Sequence, residues 1–477
     1  MKFISNISKA GLVITMLFTA FAITSCKDDL PGEMDTSLQF TELKSIKILN
    51  TGANGDVVLE GTIDENTKKI SFPRIDTLTN FENLKFEAVV SDGAKLEQDV
   101  FNIEFEEGKS EKQIVLKVVN APRYREYAAD LRLKVPVFGG DFSKAVVYDY
   151  SNNVAPNPIY PDFVGLATRG TGFDGEHVLI VARTSTAPHL LKVSDLKNNL
   201  IAPIKLNLTG VSLGTYTYNM GAIVNGHTYV INLSSNTAAS PLRIYHWTDP
   251  GVAPNMIADY NVGTIANAGV RHGDNFSINL DKDGNGYIHL ISTTAPMLRF
   301  KVSNYTQVSE PTALNNGNTY GQWSSFLRVE NTDDYLLTGN TLPISVVSSS
   351  GTIAYTMKLS SLPKNAVDAR VVTFNQMRYL LVVTVARYAG ETANIMVYNI
   401  NRGKNIVEAL GYFEGSDDKS AVFDYVLSTG VNSAPASQTG FAIKKDTQGK
   451  DEKLVLYGAA ADAGFAIIEV PVNVAAD

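Results

Sequence analysis

Thr186-Ala187-Pro188-His189-Leu190-Leu191-Lys192-Val193-Ser194 returns, with one residue inserted, as Thr294-Ala295-Pro296-Met297-Leu298-Arg299-Phe300-Lys301-Val302-Ser303. Looser copies of the same grammar follow: Thr237-Ala238-Ala239-Ser240-Pro241-Leu242-Arg243-Ile244-Tyr245, Thr341-Leu342-Pro343-Ile344-Ser345-Val346 and Thr392-Ala393-Asn394-Ile395-Met396-Val397-Tyr398. A degenerate copy, Ala461 to Ile468, comes last. Each stands behind a β-run, in order His177 to Ala182, His227 to Asn232, Tyr287 to Ile291, Tyr335 to Thr338, Tyr379 to Thr384 and Lys453 to Tyr457. A further strand and a tight turn, such as Val224-Asn225-Gly226, precede these runs. The unit is therefore strand, turn, strand, loop, strand and usually a fourth strand, at a period of roughly 45 to 75 residues, which is the signature of a β-propeller. Six copies imply six blades; a stacked β-solenoid or two sandwiches is the competing arrangement.

The two ends of the repeat region fit a ring. The sixth copy runs out after its third strand, whereas Ala145-Val146-Val147-Tyr148-Asp149-Tyr150 is a β-run with no hairpin partner. Adding this strand to the last sheet completes it and removes two exposed edges. Ahead of it, residues 38–140 carry short period-two runs such as Leu43-Lys44-Ser45-Ile46-Lys47-Ile48-Leu49 and Gln113-Ile114-Val115-Leu116-Lys117-Val118, separated by Asn-Gly, Asp-Gly and Glu-Gly turns. That pattern predicts a small immunoglobulin-like β-sandwich serving as a spacer. The expected fold is all-β, with the sandwich over 38–140 followed by a six-bladed propeller over 141–477.

The N-terminus is of a different kind. Lys2 and Lys9 precede an apolar run from Gly11 to Ile23, too short for a comfortable membrane span and ending in small residues. Ile23-Thr24-Ser25-Cys26 resembles a bacterial lipobox, which implies removal of residues 1–25 and acylation of Cys26. Lys27-Asp28-Asp29 resembles the export signal of Bacteroidetes surface lipoproteins. Residues 26–37 then read as a tether. The expected location is the outer membrane, lipid-anchored and facing the exterior.

Composition narrows the function. The net charge of −8 argues against a nucleic-acid partner, which needs a clustered basic surface. The chain has one cysteine, so lipidation leaves no thiol for disulfides, zinc or catalysis. No Ser-His-Asp order, phosphate loop or zinc spacing is present, and neither cofactor nor metal is expected. Asp281-Lys282-Asp283-Gly284-Asn285-Gly286 resembles the start of a calcium loop, but Ser292 stands where the twelfth-position acid belongs, so it reads as a turn.

In a propeller the loops between second and third strands and the connectors between blades share one face around the channel. Here they carry Tyr216, Tyr218, Arg271, His272, Asp274, Tyr320, Trp323 and Tyr425, with Arg183 and Arg387 at equivalent Val-Ala-Arg positions. Aromatic faces suit sugar C–H surfaces, while amides, carboxylates and guanidiniums suit vicinal hydroxyls. Two arginines at one channel could hold an acidic ligand such as a uronate. Ordinary blade packing is the competing reading for each residue. Carboxylate pairs leave no local signature, so Asp274, Asp368, Asp424 and Asp462 are the acids to inspect for hydrolysis.

As a whole the chain resembles uncharacterised Bacteroidetes surface lipoproteins in which an immunoglobulin-like module precedes a propeller. That resemblance implies an accessory role beside an outer-membrane glycan importer, capturing glycan or glycoprotein without catalysis. The alternatives are a glycoside hydrolase or polysaccharide lyase acting in the channel, and a cell-surface adhesive or structural protein.

Overall fold

Strand accounts for 52% of the chain and helix for 6%, so the protein is nearly all-β. A computed structural model describes residues 40–106, 109–135, 137–152, 160, 162, 167–235, 237–291, 297–314, 320–321, 323–362, 366–434 and 436–474. Cys26, Lys27, Asp28 and Asp29 lie outside the described residues, as does Thr294-Ala295-Pro296. The chain divides into two units, one ending at Pro136 and one spanning Val137–Val474. Among the described residues no helix is long and apolar enough to cross a membrane.

The first unit has two sheets. One orders Val57–Glu60, Leu43–Thr51, Leu84–Val90 and Val100–Phe101; the other orders Thr62–Asp64, Lys69–Ser71, Arg123–Arg132, Glu111–Asn120 and Lys95–Leu96. Their alternate apolar residues, among them Ile46, Ile48, Ile70, Phe72, Phe86, Leu116 and Tyr127, share one core. The pairings between these strands are antiparallel except Lys69–Ser71 against Arg123–Arg132, which is parallel and is extended by the parallel bridge Ile75–Leu133.

The second unit has six antiparallel sheets. Their first strands are Thr168–Phe173, Tyr216–Val224, Ser277–Leu280, Ser324–Arg328, Ala366–Phe374 and Ser437–Lys445. Each first strand lies beside the next, and Ser437–Lys445 also lies beside Thr168–Phe173. The last sheet takes its outermost strand, Val146–Ser151, from the start of the unit, where it pairs antiparallel with Gly464–Pro471. Middle strands are covered on both faces by neighbouring sheets. Leu454 to Ala460 are accordingly all buried, and their sequence is a continuous run rather than an alternation.

Two glycines set how closely the first two sheets approach. A Cβ on Gly170 would stand 2.7 Å from Met220 Cα, and one on Gly172 would stand 2.7 Å from Ile223 N. Only glycine lets these two backbones meet. One helix, Ile406–Glu414, is inserted between the third and fourth strands of the fifth sheet; Asn405 caps it by accepting from Glu408 N at 2.9 Å.

Candidate functional site

The space between the first strands opens at both ends. One recess, of about 420 Å³ with its open mouth, is lined where these strands begin, by residues that include Asp274, Asn275, Ser277, Trp323, Ser325, Asp368, Arg370 and Gln438. The other, about 1200 Å³, is lined where they end, by residues that include Asp174, Asn225, Asp281, Arg328, Glu330 and Asn331. Among the described residues the larger recess mixes acids and bases, and its aromatic lining is Phe173, Phe276 and Phe441. The smaller one adjoins a concentrated cationic cluster.

Arg169 sits between Thr168 and Gly170 at the start of its strand. Its guanidinium lies 5.0 Å from the centre of the Trp323 ring and 3.8 Å from Asp274 Oδ1. It thereby joins the first sheet to the connectors before the third and fourth. Arg183, just past the second strand of the first sheet, holds Ala167 O through its own N–H at 3.1 Å and its Nε at 3.3 Å. That anchor places its guanidinium 4.0 Å from the centre of Tyr216, a ring 47% exposed. Arg271 belongs to a two-residue strand, Arg271–His272, that pairs with Ser234 and Ser235. It donates to both oxygens of the buried Asp274, with Nη2 to Oδ1 at 2.9 Å.

Arg169 and Arg271 thus approach one carboxylate, and Arg183 is near enough to feel its charge. Burial, then the Arg183 and Arg271 charges, push Arg169 below the ordinary arginine value, with Asp274 pulling it partly back. Burial likewise lowers Arg183. Arg271 is raised, chiefly by its hydrogen bond to Asp274.

Deeper in, Asp368 and Arg370 project from one face of the fifth sheet's first strand. Asp368 accepts from the backbone N–H of Thr439 at 3.1 Å and from its hydroxyl. Arg370 Nε donates to Thr439 O at 3.0 Å. Burial raises Asp368 and lowers Arg370. Gln438 reaches from the sixth sheet to accept from Thr171 N at 2.5 Å and to donate to Gly221 O at 3.3 Å. These contacts tie the first strands together across their common space.

Of the residues singled out by sequence, Arg183, Tyr216, Arg271, Asp274 and Trp323 come together. Tyr218 packs on the core formed by Leu179, Val181 and Tyr245. His272 is fully buried, and burial lowers it to about 4. Tyr320 is 2% exposed and fills a core with Ile291, Met297 and Phe326. Arg387 spends its guanidinium on Asn432 O, and Tyr425 donates to Asp149 Oδ2 at 2.5 Å. The described contacts of Arg183 run to Tyr216 and Ala167, not to Arg387. Of the other acids, Asp424 accepts from Asn394 at 2.6 Å and Asp462 from Ser433 N at 2.7 Å. Asp281 accepts from the N–H groups of Asp283 and Asn285, both at 2.9 Å, as a turn acceptor does. Arg169, Arg370 and Gln438 carry no signal in the sequence, because their partners lie on other sheets.

Chemically the cluster suits holding an anion. A glycosidase needs two carboxylates facing one bond, one of them able to give a proton. Here Asp274 is held by Arg271, and Asp368 by Thr439.

A family model described as "Domain of unknown function (DUF4623)" matches residues 28–473. No curated protein matches the chain. A solved DUF4623 family protein from Bacteroides eggerthii DSM 20697 is 42% identical, with 91% of this chain and 99% of that chain covered at a TM-score of 0.78. A quinonprotein alcohol dehydrogenase-like protein from Bacteroides thetaiotaomicron VPI-5482 is 12% identical, covering 67% of this chain and 89% of its own at a TM-score of 0.29. The WD40 β-propeller domain of Doa1 is 8% identical, covering 63% and 78%, at 0.32. Scores this low carry no argument about this chain.

Proposed function

The chain belongs to the DUF4623 family, and from that premise we propose that it is a surface lipoprotein whose C-terminal unit captures glycan at the connector face without cleaving it. The six sheets are taken as blades of a six-bladed propeller, and the first unit as an immunoglobulin-like spacer. Lipid on Cys26 tethers both outside the outer membrane, where the partner is a glycan importer. One observation carries the reading. Arg183, Tyr216, Arg271, Asp274 and Trp323, drawn from the first four sheets and their connectors, gather with Arg169 where the first strands begin. Flat rings beside planar charged groups are what a sugar ring with substituents requires, and several sheets contribute, so the geometry depends on the whole array rather than on one loop.

The test is a glycan array probed with the protein from residue 27 onward, followed by size analysis of every polysaccharide that binds. Binding with the polymer left intact is expected. Shortened products would replace the capture reading with hydrolysis or lyase action. Failure to bind any glycan would leave the face to a protein partner.

A further inference from the structure

We propose that the recess at the hairpin end of the second unit is a separate ligand site, which takes a small monocarboxylate with an apolar body and seats its acid group on the outer nitrogens of Arg370. The inference does not depend on the glycan-capture reading. This recess opens where the first strands end, whereas Arg183, Tyr216 and Trp323 stand where they begin.

The cavity is the first ground. It is the larger of the two recesses, about 1200 Å³ with its open mouth against about 420 Å³. The turns that follow the six first strands, 174–176, 225–226, 281–285, 329–333, 375–376 and 446–450, are all among the described residues. Phe276, Leu327, Arg370 and Gln438 line both recesses and so divide one from the other. From that partition outward the larger recess is walled in part by Phe173, Phe276 and Phe441. Apolar walls with a few placed polar groups are the usual form of a small-molecule site.

Arg370 supplies the polar group. Its Nε is committed to Thr439, donating to the carbonyl oxygen at 3.0 Å and to the hydroxyl at 3.2 Å. Among the described residues its Nη1 and Nη2 make no hydrogen bond and Arg370 forms no ion pair. The charge it feels is that of Asp368, two residues away on the same strand, whose Oδ1 accepts from the Thr439 N–H and hydroxyl. The two charges offset each other, while the outer N–H groups of the fork stay unspent at the inner end of the recess. A carboxylate accepts two of them side by side, whereas an amide offers one neutral oxygen. The Nε bond fixes the plane of the fork beforehand, so little order is lost on binding. Entry acid-first then lays the apolar body along the three phenylalanines. Of the charged residues lining the mouth, Asp174, Asp281 and Glu330 outnumber Arg328, which disfavours a second negative charge on the ligand.

The experiment titrates the protein from residue 27 onward, by calorimetry, with 4-(4-bromophenyl)butyrate and with the corresponding amide. The acid is expected to bind about tenfold or more tightly than the amide. Arg370→Gln, checked for an unchanged circular dichroism spectrum, is expected to remove that preference. Crystals of the wild type soaked with the acid read the site directly, whether or not the variant folds. The anomalous signal of bromine is expected in the recess, beside Phe173 and Phe441 and on the mouth side of Arg370. Equal binding of acid and amide, binding of neither, an unaffected preference in the folded variant, or bromine outside the recess would each overturn the inference.

Discussion

Asp274 stands 3.8 Å from Arg169 and accepts both donors of the Arg271 fork, so it acts as the internal counter-ion of the mouth. Asp274→Asn is expected to lower the melting temperature, by an amount equivalent to about 3–5 kcal/mol, and to weaken glycan binding by releasing the Arg271 fork. Calorimetric titration beside a thermal melt checks this; unchanged binding or an unchanged melt would contradict it. A second residue-scale consequence concerns acid. His289 is fully buried between Phe326 and Tyr335, and burial lowers it to about 3, while His246 is lowered to about 4. In the unfolded chain both protonate near the ordinary value of about 6.5. Between that pH and about 4 the unfolded state therefore binds more protons, and stability falls as the pH falls. His289→Leu is expected to flatten this loss by up to about 3 kcal/mol between pH 6.5 and 4, measured as melting temperature against pH. An equally steep profile in the variant would contradict it.

At the scale of elements, much of the C-terminal unit was legible. The apolar runs after each turn signal are strands: His177–Ala182, His227–Ser235 and Met377–Thr384 among them. A strand covered on both faces needs an unbroken apolar run, and such runs stand out from sequence alone. The helix Ile406–Glu414 escaped the repeat grammar because it is an insertion within one sheet. Its local signal, Asn405 three residues before Glu408, was there to be read as a cap. Arg169 could not be found in this way. Its importance arises only when its strand lies against the second sheet and its head reaches Trp323 in the connector before the fourth. Tyr320 illustrates the converse, since an aromatic residue in a long connector looks the same whether it faces ligand or core. The glycines that set the close approach make an element-scale prediction. Gly172→Ala places a Cβ 2.7 Å from Ile223 N, and is expected to destabilise the unit by about 1–3 kcal/mol and weaken glycan binding by shifting Arg169. Denaturant unfolding reads the first effect; wild-type stability would show that the two backbones do not meet there.

For the molecule as a whole, the strand Val146–Ser151 joins the beginning of the second unit to its end. Tyr150 is the anchor: it is 1% exposed, stacks on Phe465 at 5.3 Å and donates to Leu196 O at 2.5 Å. Tyr150→Ala is expected to cost about 3–5 kcal/mol, read as a lowered midpoint of one cooperative transition of the unit. A minor local effect would mean that the terminal strand is an ornament on the array. The same arrangement brings residues from the first and fourth sheets to one mouth, and the two tryptophans of the chain offer a direct view of it. Trp247 is buried in the second sheet, whereas Trp323 lies at the mouth under Arg169. The decisive measurement is tryptophan emission during titration with a glycan retained on the array, in the wild type and in Trp323→Phe. A saturable change that vanishes in the variant is the expected result; calorimetric binding with no change in wild-type emission would contradict capture at this mouth.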